Sequence, residues 1–462
     1  MIVPEIDPTD PAVLFDPFTA YGKAREEGPL ARMQLPGMGT LWIATRHEDA
    51  REVLGGGRFG LTADSFMRPP GIPEHCLRYL RTMAEMEGPE HQRLRTLAAP
   101  AFTASRARAF RPRIERIVND LLDALPNGTQ PAGTSPDSAR PADARPTDGR
   151  AADARPADGR PADGPAASAQ SDARPAGTPP ASARPAGTAP ASTPPASTLP
   201  DGAIDLLEHF ARPLPIDVIC ELVGIPIEDR PQWRQYGAAV VGGFGPAFVD
   251  AIPRIIEGAK AAVDRRKDDP ADDLISTLLQ VRAEDGDRLT DDELVTLVWH
   301  LVLAGQTPAN LIGNAVEVLL THPEHLATLR ANPSLMPRAV EELTRWVGPQ
   351  LLTTPRFAKE DVTFDGITVR KGERVSAAIV AANRDPRVYD NPDTLDLART
   401  GPNHLGYAHG PHFCLGAAFA RAETEIALTA LITRFPNLAL AGNPERIPDG
   451  GTWRLATLPV TY

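Results

Sequence analysis

The chain has 462 residues, 42% of them hydrophobic, enough to bury a large core as one big domain or two modest ones. Its formal charge is −12, from 48 basic and 60 acidic side chains, so no nucleic-acid partner is expected. No apolar run approaches the roughly 20 residues that span a bilayer, so no membrane association is expected either.

The opening stretch, MIVPEIDPTDPAVLFDPF, has no basic region followed by an apolar run. No signal peptide is expected, and a cytoplasmic location is. TLWIAT reads as a strand, and RPRIERIVNDLLDAL carries apolar residues at helical spacing. Residues 126–198 then break the pattern, with no Leu, Ile, Val, Met, aromatic, Cys, Glu or Lys. Their charges are seven Asp and seven Arg, and Arg140, Arg145, Arg150, Arg155 and Arg160 each open a pentapeptide of the RPADG type. Two ten-residue units follow from Arg174 and Arg184. With nothing to bury, such a stretch does not offset its ordering entropy, so a disordered, repetitive insert is expected; a docking segment is the alternative.

After the insert, IDLLEHFARPLPIDVICELVGIP resumes the helical pattern. DDELVTLVWHLVLAGQ opens on acidic residues and continues as a long apolar helix. SLMPRAVEELTRWV and AAFARAETEIALTALITRF are further amphipathic helices, while VTFDGITV, RVSAAIV and LATLPVTY are strand candidates. The expected fold class is mainly α with small β-sheets, residues 1–125 and 199–462 forming a single catalytic domain.

Three cysteines, Cys76, Cys220 and Cys414, cannot all pair with one another, which suits a reducing compartment. The densest chemistry is HLGYAHGPHFCLGAAFAR, His404 to Arg421. Cys414 precedes a helix start, where unpaired N–H groups and the helix dipole favour a thiolate. Gly410 permits a tight turn, and Gly416 lets a flat ligand approach the backbone. A thiolate on haem iron favours O–O cleavage. A structural cysteine, or a zinc cluster of His404, His409, His412 and Cys414, would also fit, although zinc sites usually show paired ligands at regular spacing.

Tyr407-x-x-Gly410-x-His412-x-Cys414-x-Gly416 resembles the haem-binding signature of the cytochrome P450 family, in the style of its soluble bacterial members. Tyr407 stands where Phe is usual, and Ala408 replaces a common Gly. Glu342-Leu-Thr-Arg345 resembles the family's ExxR pair, with Arg399 in TLDLAR matching its later arginine. GPEHQRLR, from Gly88 to Arg95, resembles the helix that grips the haem propionates. His91 and Arg95 share a face there, and Arg356 and His412 match the other propionate contacts. AANRDPRVYDNP, from Ala381 to Pro392, also resembles a recurrent bacterial stretch. The resemblance implies the P450 fold, heme b (iron protoporphyrin IX) held by Cys414, and dioxygen as co-substrate.

The oxygen-activating helix departs from the family pattern. LAGQTPAN can be matched through Ala304-Gly305, which puts Thr307 in the acid slot and Pro308 in the alcohol slot. Matched through ANLIGN instead, Gln306 replaces the acid and Thr307 is the alcohol, which keeps an ungapped register to Glu342. The second is preferred, making Thr307 and Gln306 the candidate catalytic residues. A threonine hydroxyl can pass a proton towards dioxygen as it is reduced, whereas Gln306 hydrogen-bonds but does not ionise. Pro308 leaves the Ala304 carbonyl without its N–H partner and is expected to kink the helix. A bond from Thr307 back to the Leu303 carbonyl is the bland alternative.

By the same resemblance, the substrate pocket is expected from Phe66–Ile72, from Val240–Phe248 with Phe244, from a helix face of Trp299, Val302 and Leu303, and from Pro349–Thr353 with Leu351 and Leu352. No reductase, flavin or iron–sulfur motif is present, so electrons from NAD(P)H are expected through a ferredoxin and ferredoxin reductase. Arg106, Arg108, Arg111, Arg113 and Arg116 form a basic run that could steer such a partner, or simply a solvated helix face. The expected activity is monooxygenation of a small, largely apolar molecule, a natural-product intermediate by class. Oxidative coupling, desaturation, or a haem-binding recruitment or sensor module with weak turnover are the alternatives.

Overall fold

The computed structural model describes residues 3–35, 39–66, 70–126, 199–241, 245–284 and 288–462. All of these fall in one compact unit, Met1–Gln130 together with Pro190–Tyr462. Beyond Pro126, the insert expected at 126–198 lies outside the described residues.

Helices form where apolar spacing and caps agree. Ala104–Asp123 starts where the Thr103 hydroxyl accepts the Arg106 N–H at 3.2 Å. It buries Ala107, Phe110, Ile114, Ile117, Val118 and Leu122, a single stripe at three- and four-residue spacing. Asp291–Ala304 opens on a reciprocal cap between Thr290 and Glu293, with Asp291, Asp292 and Glu293 in its first turn favoured by the helix dipole. The stretch after the insert is not helical throughout. Strand Ile204–Asp205 leads through a π-helical turn, Leu207–Ala211, into helix Pro213–Val223. The Asp205 carboxylate accepts the N–H groups of Leu207 and Leu458, each at 2.9 Å, tying that strand to the C-terminal strand Pro459–Thr461.

The main sheet runs Glu5–Ile6, Leu30–Leu35, Gly39–Ala44, Arg374–Ala377, Arg356–Ala358, Phe59–Gly60. Leu30 to Leu35 pair antiparallel with Ala44 to Gly39, and Leu41–Ala44 run parallel to Arg374–Ala377. Residues from both ends of the chain thus share one layer, which carries Arg356 to the edge of the cavity described below. VTFDGITV is a hairpin turning at Asp365-Gly366, whose φ values of 48° and 87° are those a two-residue turn of this kind needs. RVSAAIV is only half strand; it ends in the short helix Ile379–Ala382.

The central helix is not merely kinked. It ends at Ala304, turns through residues 305–307, and a second helix runs Pro308–Thr321. That second helix packs on Met336–Val347 and Ala417–Arg434. Its buried Asn314 donates to the carbonyls of Val347 at 3.1 Å and Trp453 at 2.9 Å.

Candidate active site

The cysteine loop is shaped by its backbone. The Cys414 N–H donates to the Tyr407 carbonyl at 2.9 Å, folding the loop back on itself just before helix Ala417–Arg434. Gly410 has a φ of 75°, and a Cβ there would fall 2.6 Å from the Leu54 carbonyl oxygen, so both conformation and space demand glycine. Ala408 also has a left-handed φ, 60°, which explains why glycine is common at this position. The Cys414 side chain opens into a cavity of about 450 Å³, which Gly416 also lines, with open space where its Cβ would be. Burial raises the Cys414 thiol above its ordinary pKa, while the Gly416 N–H, Arg95 and Arg421 oppose that rise. A coordinated metal deprotonates a thiol outright. Among the described residues, no group of three or more His, Cys, Asp or Glu is arranged to hold a metal ion, so the zinc-cluster alternative fails.

Four cationic or ionisable groups converge on this cavity. His91, Arg95, Arg356 and His412 all line it. The rings of His91 and His412 lie 4.2 Å apart at 30°, and burial, helped by His412 and Arg95, pushes His91 down to about 4. Arg95 donates to the Phe413 carbonyl at 2.6 Å, joining helix Gly88–Ala98 to the cysteine loop. Arg356 is 3% exposed, and its Nε and Nη1 have no hydrogen-bond partner among the described residues. A buried guanidinium without acceptors is costly, so this cluster fits the two carboxylates of an iron protoporphyrin, whose iron Cys414 would hold.

Behind the loop, Glu342 and Arg345 are 3% and 4% exposed and form a bidentate pair at 2.7 and 2.8 Å. Arg399 Nε reaches both Glu342 oxygens at 3.1 Å, and the Asp396 N–H adds a bond at 2.9 Å. Arg345 continues to the carbonyls of Asn383 and Pro392, each at 2.8 Å, and Arg399 to that of Asp390 at 2.7 Å. Asn383 in turn accepts the Leu405 N–H at 2.7 Å, at the entrance to the cysteine loop. The ion triad therefore acts as a fully satisfied buckle under that loop.

Elsewhere around the cavity, the wall corrects several expectations. Helix Asp291–Ala304 presents His300, Leu301 and Ala304, not Trp299, Val302 and Leu303. Trp299 turns its indole N–H to the Tyr79 carbonyl at 3.1 Å, and Val302 and Leu303 are in the core. Leu351 and Leu352 pack with Ile6, Val13 and Tyr21; their neighbours Gln350 and Thr353 line the cavity instead. Phe244 lies outside the described residues. Thr307 lines the cavity, and its hydroxyl donates at 3.0 Å to the Ala304 carbonyl rather than that of Leu303. Gln306 is not brought beside it. Its amide oxygen lies against Gly237, 2.6 Å from where a Cβ would sit, because adjacent positions diverge by about 100° around a helical turn.

A family model described as Cytochrome P450 matches residues 245–462. Mycinamicin IV hydroxylase/epoxidase of Micromonospora griseorubida is 34% identical over 92% of this chain and 89% of its own. The chain belongs to the cytochrome P450 family. A second relative, 6-deoxyerythronolide B hydroxylase of Saccharopolyspora erythraea, is 30% identical over 96% of this chain and 93% of its own. Among solved structures, the tirandamycin C-bound P450 monooxygenase TamI matches with a TM-score of 0.74 at 28% identity, covering 99% of each chain.

This P450 is a haem-dependent monooxygenase that uses dioxygen. No helix among its described residues is long and apolar enough to cross a membrane. Two cavity residues escaped sequence reasoning. His300 shares a helix face with Ala304, four residues on, and lines the cavity with it and with Thr307. Glu423 lies between Phe419 and Ile426 on the buried stripe of Ala417–Arg434; it also lines the cavity, its Oε2 has no hydrogen-bond partner among the described residues, and burial raises its carboxyl well above the ordinary range. Glu423 was signalled by falling in phase with a buried stripe, His300 only by being polar amid apolar neighbours.

Proposed function

We propose that this P450 inserts one oxygen atom of dioxygen into a small, largely apolar natural-product intermediate, with Cys414 as the iron ligand. The observation that carries this reading is the meeting, in one cavity, of Cys414, the carboxylate-seeking set His91, Arg95, Arg356 and His412, and an apolar far wall. Bound there, the haem supplies a thiolate-ligated iron that activates dioxygen. Around it, Glu342, Arg345 and Arg399 hold the cysteine loop, and Thr307 holds a proton at Oγ1 on the opposite side. The relatives named as a mycinamicin hydroxylase/epoxidase and a deoxyerythronolide hydroxylase support the natural-product class. Residues 126–198 stand, on composition, as an insert outside this catalytic domain.

Electrons come from NAD(P)H through a separate ferredoxin and its reductase in this reading. The basic run is a weak guide to their docking. Arg106 and Arg113 pair with Asp272, Arg111 with Glu425, and Arg116 with Glu221, so much of its charge is already met within the chain. The broken helix at Gln306-Thr307-Pro308 favours a second reading, in which the substrate held in the same cavity couples or desaturates. The test is turnover of a natural-product panel with purified ferredoxin and reductase, scored by product mass. A product one oxygen heavier supports insertion, and a product two hydrogens lighter supports the second reading. Spectral binding without NAD(P)H-driven product would leave only a binding module.

A further inference from the structure

The far wall of the cavity is apolar except at one point on its helix. His300 is half-buried, lines the cavity, and makes no hydrogen bond among the described residues. Its Nδ1 is walled in without a partner, which leaves Nε2 as the nitrogen that can face the cavity. An enclosed lone pair is tolerated better than an enclosed N–H, so the favoured tautomer carries its hydrogen on Nε2. Nearby, Leu301, Val218, Ile219 and Leu222 offer no hydrogen-bonding side chain.

We propose that His300 is the polar anchor of the substrate pocket, its Nε2–H donating to a neutral oxygen acceptor, a ketone, ester, lactone or ether, on an otherwise apolar substrate. The inference rests on the oxygenase reading of the same cavity. Burial depresses His300 to about 4 and keeps the ring uncharged, so a carboxylate is not the group it selects. His300 precedes Ala304 by one turn, about 6 Å along the helix. The acceptor oxygen is therefore held one turn away from Ala304, towards the helix N-terminus, and the carbon to be oxidised lies on the Thr307 side. A pocket that leaves such a buried donor unpaired discriminates against an analogue lacking the oxygen.

The test uses the haem-loaded full chain, its His300→Phe and His300→Gln variants, and two probes, cyclododecanone and cyclododecane. Each probe is delivered from the same cyclodextrin, whose own affinity cancels between proteins. Binding is read by the haem spin-state change and by calorimetry. The natural protein is expected to favour the ketone; Phe reduces that preference by about tenfold, and Gln, which keeps a donor, retains it within about threefold. No ketone binding, no ketone preference, a preference that survives in His300→Phe, or equal loss for both probes overturns the proposal. So does a nitrogen-ligated resting spectrum that disappears in His300→Phe, since His300 would then be an iron ligand. The carbon monoxide difference spectrum of each preparation separates the two levels. If the thiolate-haem signal is absent from the natural protein, both readings fall; if it is intact and the preference does not move, only His300 falls.

Discussion

Thr307 Oγ1 donates at 3.0 Å to the Ala304 carbonyl, the acceptor that Pro308 leaves without a helical N–H. One hydroxyl therefore meets the broken backbone and faces the cavity. Replacing Thr307 with Ala removes both roles. The expected result is normal haem content with product per electron down by about tenfold or more and hydrogen peroxide up correspondingly. Thr307→Ser keeps the hydroxyl and should hold coupling close to natural. Peroxide and product measured against NAD(P)H consumed decide the matter; unchanged coupling in the Ala variant removes Thr307 from the proton path.

Glu342 neutralises Arg345 and Arg399 from a nearly sealed position. Glu342→Ala leaves buried cations unpaired, at a cost of about 3–5 kcal/mol. The variant should express poorly or unfold early in denaturant, with haem content falling in parallel. A soluble variant of natural stability would mean the triad contributes little.

Arg356 illustrates the opposite balance. Its unpartnered Nε and Nη1 burden the haem-free protein, so Arg356→Met should leave that form equally or more stable. Haem retention should weaken by about tenfold or more as a charge-assisted contact is lost. Transfer of haem to excess apomyoglobin measures the second effect, and denaturant melts of the haem-free chain the first.

Ala408 holds a φ of 60° that glycine adopts freely. Ala408→Gly should gain up to about 1 kcal/mol. Gly410→Ala should lose more than that, because the new Cβ meets backbone at Leu54 and Gly55. Paired melts of the two variants check the signs.

Glu423 is buried with its carboxyl raised well above the ordinary range, so the folded chain holds that proton more tightly than the unfolded one. Its stabilising contribution is complete below the unfolded pKa, about 4.3, and is lost as pH rises towards the folded value, at about 1.4 kcal/mol per pH unit. Glu423→Gln should therefore match the natural chain near pH 4 and exceed it increasingly above that. Identical pH–stability curves would show that Glu423 is not the group responsible.

The proximal side of this fold was legible because backbone and chemistry dictate its residue types. Gly410 answers a left-handed turn pressed against Leu54, and Glu342 and Arg345 sit one helical step apart. The far wall was not legible, for a definite reason. From Leu294 to Leu303 the helix is buried almost all round, so its apolar pattern has no phase. Trp299, Val302 and Leu303 were as good on paper as His300, Leu301 and Ala304. Contacts decided it, notably the indole bond to Tyr79. The pairing of the arginine run was hidden for a similar reason, since Asp272, Glu425 and Glu221 are far from it in sequence. Strands as short as Phe59–Gly60 carry no alternation to read.

The break at residues 305–307 has a mechanical side. An unbroken rod from Asp291 to Thr321 would pass any displacement at one end to the other. Here the downstream half is bolted through Asn314 to the Val347 and Trp453 backbones, beside the helix that carries Glu342 and Arg345. The upstream half, with His300, meets it at a three-residue turn, and both halves pack on helix Pro213–Val223. A guest pressing on the upstream half therefore finds no continuous helical hydrogen-bond ladder through which to strain the elements behind the cysteine loop.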